Sequence, residues 1–197
     1  MAFWLGLTGS IGMGKSTTAK LFDELGCDVW DADAAVHRLY AKGGAAVAPM
    51  QARFPEAIVE GAVSREKLKE IIAKTPEALK EIETVVHPLV GQDRAEFIEA
   101  SQAEIIVFDI PLLFETGGNA RMDAIAVVSI GADEQRRRVL ERGTMSAAQF
   151  EAIKAKQTPD VEKRALADYV VITDTAEHAK EQVQLIVKDI KAKLSNA

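Results

Sequence analysis

Apolar and polar positions follow two alternating patterns along this chain. Five short, nearly continuous apolar segments predict strands that are buried on both faces. These segments span residues 3–8, 27–30, 105–109, 124–130 and 169–173. Between them, apolar residues recur at helical spacing, as at Leu21, Phe22 and Leu25 and in a last helix from about Glu177. Strands that alternate with helices predict a parallel sheet covered on both faces, so the fold class is α/β.

The long segment between the second and third strands, residues 34–100, is predicted to be mostly helical. Thr75-Pro76-Glu77 is a favourable helix start, and apolar residues then repeat at helical spacing as far as Leu89. His87-Pro88 is predicted to end this stretch, because a residue before proline disfavours helical backbone angles. His87 is therefore interpreted as a structural residue at a helix end.

Composition places the chain among ordinary globular proteins. It has 197 residues, of which 48% are apolar and 27% charged, which predicts one domain with small appendages. The net charge of −6 lacks the basic excess of a nucleic-acid binder, so we expect no nucleic-acid partner. No run approaches the ~18 apolar residues of a membrane span, and the N-terminus lacks a basic signal-peptide region. The expectation is a soluble cytoplasmic protein without a membrane partner.

The strongest chemical signal is the sequence Gly-Ser-Ile-Gly-Met-Gly-Lys-Ser at residues 9–16. It matches the phosphate-binding loop, in which inward-pointing backbone N–H groups surround phosphate oxygens at the start of a helix. Lys15 is expected to reach the β and γ phosphates of ATP, and the Ser16 hydroxyl to bind Mg²⁺. A chance glycine-rich turn is the alternative, but the match lies between a predicted strand and a predicted helix. The predicted ATP-binding residues are Gly9, Ile11, Gly12, Met13, Gly14, Lys15, Ser16 and Thr17.

Three aspartates follow predicted strands. Asp31 and Asp33 come after the second strand and Asp109 after the third. Ligands of open parallel sheets bind outside the carboxyl ends of the strands, so we expect these carboxylates near the phosphates. A carboxylate there can hold Mg²⁺, as Asp31 or Asp109 through water, or accept a proton from an attacking hydroxyl. The alternative is that aspartate is simply common at strand ends and helix caps.

Residues 136–142 contain four arginines in a net acidic chain. An arginine near a transferring phosphoryl group stabilises the charge on its oxygens. Arg142, which precedes Gly143, is interpreted as part of a mobile lid. Arg136 and Arg137 are interpreted as a solvated helix face paired with glutamates. After Gly143, residues 146–149 have the spacing of a capping box and predict another short helix.

Among the classes of phosphate-loop proteins, the sequence argues against GTPases and against transporter or motor ATPases and favours a kinase. The only asparagines, Asn119 and Asn196, are followed by alanine, so the guanine-reading motif of a GTPase is missing. Asp109 is followed by Ile110-Pro111 and offers no glutamate of the kind that polarises water in transporter or motor ATPases. A kinase needs a base for its acceptor alcohol, and Asp31 or Asp33 can supply one.

Five segments together resemble the dephospho-coenzyme A kinases, a family of phosphate-loop kinases of small molecules. They are residues 6–16, 31–33, 87–88, 109–115 (Asp-Ile-Pro-Leu-Leu-Phe-Glu) and the arginine-rich region that ends near Gln157. The resemblance extends from the first strand to about residue 173. It implies that Mg²⁺-ATP phosphorylates the ribose 3′-hydroxyl of dephospho-CoA, which is the last step of coenzyme A synthesis. We also expect a monomer or weak homo-oligomer.

The resemblance further implies a three-layer phosphate-loop fold with a five-stranded parallel sheet. Its core would comprise about 1–33, 101–140 and 165–197, with a helical CoA-side subdomain at about 34–100 and a lid at about 141–160. Asp33 would be the base at the 3′-hydroxyl, Lys15 the phosphate clamp and Arg142 the lid arginine. Residues expected on the acceptor side are Asp33, His87, Asp109, Leu112, Leu113 and Glu115.

Two positions depart from the family pattern, and two other functions stay open. Thr173 stands where the family has asparagine, and Lys154 stands where many relatives have arginine. One alternative is another small-metabolite kinase that resembles shikimate kinase, which also has Asp-x-Asp after its second strand. The other is a nucleotide-binding regulator without phosphoryl transfer, against which the intact Lys15, Ser16 and Asp33 argue.

Overall fold

A computed structural model describes residues 2–196 and contains two sheets within that range. The strands are β1 (Phe3–Thr8), β2 (Asp28–Asp31), β3 (Ile58–Val59), β4 (Ala62–Val63), β5 (Ile105–Asp109), β6 (Ala124–Ser129) and β7 (Tyr169–Ile172). The helices are α1 (Lys15–Glu24), α2 (Ala32–Tyr40), α3 (Val47–Arg53), α4 (Arg65–Lys74), α5 (Ala78–Ala100), α6 (Ala132–Glu141), α7 (Ala147–Lys154), α8 (Asp160–Ala165) and α9 (Ala176–Ser195). Contacts divide the chain into two compact units, of which the second is Asp31–Ala100 and the first comprises the segments on either side.

The larger sheet has the strand order β2-β5-β1-β6-β7. β1 pairs in parallel with β5 and β6, and β6 pairs in parallel with β7. Every residue of β5 and β6 is buried, as the continuous apolar runs predicted. The five predicted strands are all confirmed, and each ends within one residue of its expected position. The α/β fold class with a five-stranded parallel sheet is therefore correct.

The core of the first unit lies between this sheet and two helices. Leu5 and Leu7 of β1 are fully buried beside Phe22 of α1. α9 covers the same cluster with an apolar stripe at helical spacing, made of Ala179, Val183, Ile186, Val187 and Ile190. β1 and α1 are thus held by packing on either side of the loop that joins them.

The second unit is helical, as predicted, apart from one short hairpin. Its core is built by α2 to α5, with Met50 fully buried at its centre. The hairpin pairs β3 with β4, and its turn places Glu60 and Gly61 at φ +52° and +82°. The sequence did not predict these strands, because a two-residue strand leaves too short an apolar pattern to recognise.

The prediction that His87-Pro88 ends a helix is wrong. Pro88 lies inside α5, which continues to Ala100. Proline removes one backbone hydrogen bond, but Pro88 is exposed, so water can reach the carbonyl group that loses its partner. Apolar residues before and after the proline pack into the same core, and this packing keeps the helix continuous. They are Ile82, Val85, Val86, Leu89 and Val90.

The segment after β6 agrees with its sequence signals. α6 ends at Glu141, and Gly143 has φ +65°. Ser146 Oγ accepts a hydrogen bond from the Gln149 backbone N–H at 3.3 Å, and Gln149 Oε1 accepts one from the Ser146 N–H at 2.8 Å. The capping box at the start of α7 is therefore confirmed. Within residues 2–196, no helix has the combination of length and apolarity that crossing a membrane requires.

Candidate active site

The loop between β1 and α1 has a conformation that needs glycine. Gly12 and Gly14 have φ of +80° and +92°, in the left-handed region that strains other residues. A Cβ atom on Gly12 would lie 2.4 Å from Val139 Cγ2, and one on Gly9 would lie 2.2 Å from Val128 Cγ2. Glycine is therefore required here both for backbone angles and for close packing against β6 and α6.

Two glutamine side chains hold the middle of this loop. Gln135 on α6 is 1% exposed, and its Nε2 donates a hydrogen bond to the Ile11 carbonyl oxygen at 2.7 Å. The Ile11 N–H in turn donates to Gln157 Oε1 at 3.1 Å. Both backbone groups of Ile11 are thus oriented by amides from distant parts of the chain.

Thr173 supports the end of the same loop. Its Oγ1 donates a hydrogen bond to the Met13 carbonyl oxygen at 2.8 Å. Arg138 donates from Nη2 to the Thr173 carbonyl oxygen at 2.7 Å and from Nε to Glu134 Oε1 at 2.7 Å. Hydrogen bonds from Arg137 and Arg138 lower the pKa of the Glu134 carboxyl group to about 2. Thr173, one of the two residues that depart from the family pattern, therefore supports the loop.

Lys15 and Asp109 form an ion pair at the start of α1. The Lys15 ammonium group donates a hydrogen bond to Asp109 Oδ1, and Asp109 is the last residue of β5. The two side chains are 15% and 2% exposed. Ser16 and Thr17 follow in the first turn of α1, and both are exposed. The pairing places the Lys15 charge beside the loop and neutralises a carboxylate that would otherwise repel phosphate.

The oxygen ligands beside Lys15 are too few to bind Mg²⁺ by themselves, but they could bind it together with phosphate oxygens. Within residues 2–196 there is no cluster of three or more His, Cys, Asp or Glu side chains that could hold a metal ion. Magnesium in nucleotide sites is usually bound by one or two protein oxygens, with phosphate oxygens and water completing its octahedron. The Ser16 hydroxyl and the Asp109 carboxylate are oxygen donors of this kind.

A cavity of about 260 Å³ opens over the loop. Residues 9–17 form one part of its wall, and Pro111, Arg142 and Gln157 contribute to the rest. The structure therefore brings Arg142, the arginine singled out in the sequence, to the same cavity as Lys15. Lys154 lines a neighbouring cavity of about 470 Å³ together with Ser10, Met13, Gln135 and Asp160.

Glu115 makes its contacts inside the first unit. Its Oε1 accepts a hydrogen bond from the Thr158 N–H at 2.8 Å and lies 2.9 Å from Nζ of Lys163, which is fully buried. Burial alone would raise the pKa of the Glu115 carboxyl group, but the contacts with Lys163 and the Thr158 N–H outweigh it and lower the pKa. Glu115 therefore anchors the segment that carries Gln157, a role that the sequence analysis did not foresee.

Leu112 and Leu113 differ in what they offer a ligand. Leu113 is fully buried beside Ile125 and Val127, whereas Leu112 is 42% exposed. Both were expected on the acceptor side. Leu113 lies in the turn after β5 and packs against β6, which leaves it no surface for an acceptor.

Asp31 and Asp33 belong to the second unit and serve different purposes. Asp31 Oδ1 accepts hydrogen bonds from the backbone N–H groups of Asp33 at 2.7 Å and Ala34 at 3.0 Å. Asp31 is thus the N-cap of α2, as the helix-cap alternative stated. Asp33 is exposed in the first turn of α2 and lines an open cavity of about 490 Å³. Of the two carboxylates, Asp33 is the more exposed.

The remaining sequence candidates lie on surfaces. His87 is exposed on α5 in the second unit. Arg137 pairs with Glu134 and Glu141 at 2.7 Å, as the interpretation of a solvated helix face predicted. Arg136 pairs with Glu151 at 2.7 Å instead of with a glutamate of its own helix.

Sequence reasoning missed the polar residues that support the loop from a distance. Gln135 had one usable signal, because it lies four residues before Val139 on the buried face of α6. Thr173 stood out only as a departure from the family pattern, which did not indicate a role in supporting the loop. Lys163 had no signal, since a lysine in a short helix is usually exposed. Their contacts depend on residues far away in the sequence.

Comparison with known proteins matches the chain to one family over almost its whole length. The family model for dephospho-CoA kinase matches residues 3–179. A dephospho-CoA kinase of Ruegeria pomeroyi is 65% identical over 98% of this chain and 98% of its own length. A crystal structure from Thermus thermophilus has a TM-score of 0.84 and 33% identity over 98% of both chains. A shikimate kinase of Acinetobacter baumannii, solved with shikimate, shares only the fold, with a TM-score of 0.55 and 15% identity over 98% of this chain and 95% of its own.

Proposed function

The chain belongs to the dephospho-CoA kinase family, and we propose that its phosphate loop, Asp33 and Arg142 carry out the reaction of that family. The protein is an ATP-dependent kinase that phosphorylates dephospho-CoA to coenzyme A, the final step of coenzyme A synthesis. The observation that carries the proposal is the glycine loop closed around Lys15, inside the segment that the family model matches. Because the reaction consumes ATP, we also propose a cytoplasmic location.

ATP binding is assigned to the loop. Backbone N–H groups of residues 9–17 would surround the β and γ phosphates, apart from those of Ile11 and Met13, which donate to Gln157 Oε1 and to the Ser10 carbonyl oxygen. The start of α1 adds the positive end of its dipole. Asp109 orients the Lys15 ammonium group toward these phosphates through their ion pair. Ser16 and Asp109 would hold the Mg²⁺ that accompanies ATP, and this ion would neutralise charge on the phosphate oxygens. Gln135, Gln157 and Thr173 hold the loop in the shape that this binding needs.

Asp33 is assigned as the general base. Its carboxylate is exposed while Asp31 caps α2, so it is available to a substrate hydroxyl. The 3′-oxygen of the acceptor ribose forms a bond to the γ phosphorus, and the bond from that phosphorus to the bridging oxygen of ATP breaks. The hydroxyl proton passes to Asp33, and ADP leaves with the electrons of the broken bond.

Arg142 and the segment around it are assigned to the transition state. Its guanidinium group can spread hydrogen bonds over the oxygens of the transferring phosphoryl group, because it lines the loop cavity. Residues 141–160 would act as a lid that excludes water, which would otherwise hydrolyse ATP. On the acceptor side we retain the exposed residues His87 and Leu112 as candidate contacts.

The test measures ADP release from Mg²⁺-ATP with and without dephospho-CoA and identifies the product by mass spectrometry. Wild-type turnover should depend on dephospho-CoA and yield coenzyme A. Asp33→Asn should retain ATP affinity and lose on the order of 10²–10⁴-fold in kcat, the usual share of general-base catalysis. Glu83→Gln, an exposed carboxylate of the same unit, serves as the matched control and should keep wild-type kcat.

Three outcomes would contradict parts of this proposal. Unchanged kcat in Asp33→Asn would remove Asp33 from the role of base. Turnover with shikimate in place of dephospho-CoA would favour the other kinase alternative. ATP binding without acceptor-dependent ADP release would favour a regulator.

A further inference from the structure

The second unit contains an open cavity of about 490 Å³ that is formed entirely by its own residues. One side is the face of α2 that carries Asp33, His37 and Tyr40, and the other is the segment 62–66 at the end of β4 and the start of α4. Its volume lies within the range of about 300–1,000 Å³ that is usual for small-molecule sites. Because Asp33 lies in its wall, a ligand in this cavity reaches the proposed base directly.

Arg65 supplies the positive charge of this cavity. Among the described residues that line it, Arg65 is the only lysine or arginine. Its Cζ lies 5.9 Å from the centroid of the Tyr40 ring, and its Nη2 lies 3.5 Å from the Asp33 backbone carbonyl oxygen. Within residues 2–196 no carboxylate forms an ion pair with it, whereas Arg38 on α2 is paired with Asp93 at 2.6 Å.

The surroundings of Arg65 restrain it without neutralising it. Tyr40 is 9% exposed, so its ring is fixed in the core and offers a rigid face for the guanidinium group. Two carboxylates, Asp33 and Glu66, line the same cavity. Glu66 accepts a hydrogen bond from Ser64 Oγ at 3.2 Å, and backbone and Ser64 hydrogen bonds, with a smaller contribution from the Arg65 charge, lower the pKa of its carboxyl group. Apart from the long hydrogen bond from Nη2 to the Asp33 carbonyl oxygen, no hydrogen bond within residues 2–196 uses the guanidinium donors, so they are available to a ligand. The contact with the Tyr40 ring reduces the conformational entropy lost on binding.

We propose that Arg65 binds the diphosphate group of the acceptor nucleotide and thereby positions the ribose hydroxyl at Asp33. The inference rests on the proposed function, which brings an acceptor hydroxyl to Asp33. Dephospho-CoA carries its diphosphate on the 5′ oxygen of the same ribose, only a few bonds from the 3′-hydroxyl. An anion placed beside the Asp33 carboxylate is repelled unless a cation lies next to it, and Arg65 is that cation. A guanidinium group also suits phosphate oxygens better than an ammonium group, because its planar donors bind two of them at once.

Steady-state kinetics with both substrates varied can test this assignment. Arg65→Met should raise the KM for dephospho-CoA about 10- to 100-fold, the range expected when charged hydrogen bonds to phosphate are lost. The KM for ATP should stay within about threefold of wild type, since ATP is assigned to the phosphate loop and not to Arg65. The kcat at saturating acceptor should fall by less than the KM for dephospho-CoA rises, because excess acceptor compensates for weaker binding but not for any loss of positioning. Arg65→Lys should give an intermediate KM, because it keeps the charge and loses the planar fork. Lys69→Met removes an exposed charge from the same helix and should leave every parameter unchanged.

Calorimetric titration of dephospho-CoA into the full-length chain gives an independent readout, in which Kd should weaken by the same factor as KM. The proposal is overturned if Arg65→Met leaves KM and Kd unchanged, if kcat falls while KM does not, or if Lys69→Met has an equal effect. If Arg65→Met does not fold, Arg65→Lys decides: a raised KM at an unchanged unfolding midpoint supports the proposal, and a wild-type KM overturns it. Failure of wild type to phosphorylate dephospho-CoA would instead refute the proposed function.

Discussion

The ion pair of Glu115 and Lys163 should respond very unequally to removal of its two partners. Lys163 is fully buried, whereas the Glu115 side chain is 16% exposed and also accepts the Thr158 N–H. Glu115→Gln leaves a buried ammonium group without its counter-charge, which costs about 3–5 kcal/mol. Lys163→Met leaves a carboxylate that still reaches water and one backbone donor, so a loss of only about 1–2 kcal/mol is expected.

Urea denaturation followed by circular dichroism measures this difference. In thermal unfolding, Glu115→Gln should lower the midpoint by roughly 10 °C, since about 1 kcal/mol corresponds to a shift of about 2–4 °C in a chain of this size. Lys67→Met, which breaks the exposed pair with Glu70, is the matched control and should change stability by less than about 1 kcal/mol. The double variant Glu115→Gln/Lys163→Met should be close to Lys163→Met alone, because no buried charge remains.

The reasoning is refuted if Glu115→Gln costs no more than Lys163→Met, or less than about 1 kcal/mol. A functional consequence follows as well. Thr158 adjoins Gln157, whose amide oxygen accepts the Ile11 N–H. Loss of the Glu115 anchor should therefore raise the KM for ATP, even at temperatures where the variant remains folded.

Three further predictions concern the loop and its supports. Gly12→Ala puts a methyl group 2.4 Å from Val139 Cγ2 at φ +80°, and we expect at least a tenfold loss of ATP affinity by calorimetry. The control Gly26→Ala has a similar φ of +82° but open space around it. It should lose only about 1–2 kcal/mol of stability and keep its ATP affinity. Thr173→Val keeps the side-chain shape but removes the hydroxyl that supports the loop. We therefore expect a loss of about 1–2 kcal/mol in the free energy of unfolding and a several-fold rise in the KM for ATP. Unchanged kinetics would show that Thr173 does not support the loop. Because the folded-state pKa of Glu115 is lowered, its contribution to stability is complete above the ordinary value of 4.5 and is lost as the pH falls below it. Urea titrations from pH 7 to pH 3 should therefore show a smaller acid-induced loss of stability in Glu115→Gln than in wild type, and equal losses would contradict the assignment.

Local patterns in the sequence were sufficient for most of the fold. The apolar runs predicted all five strands of the main sheet, and two of these runs correspond to β5 and β6, whose residues are all buried. The prediction that α5 ends at Pro88 was wrong because packing with residues outside the local pattern keeps the helix continuous. A proline inside a helix costs about 3 kcal/mol or more. The burial of Ile82, Val85 and Val86, worth about 1.5–3 kcal/mol for each side chain, outweighs that cost.

What the sequence determined by itself is the phosphate loop, since its function depends on a short segment whose glycines, lysine and strand-to-helix position are all local. Only the tertiary structure decided what supports that loop. Asp109 is 94 residues from Lys15, Gln135 is 124 residues from Ile11, and Thr173 is 160 residues from Met13. Such contacts leave no periodic signal along the chain, because they depend on which strands become neighbours in the sheet. The same holds for Glu115, whose partner Lys163 becomes buried only when α8 packs against β6.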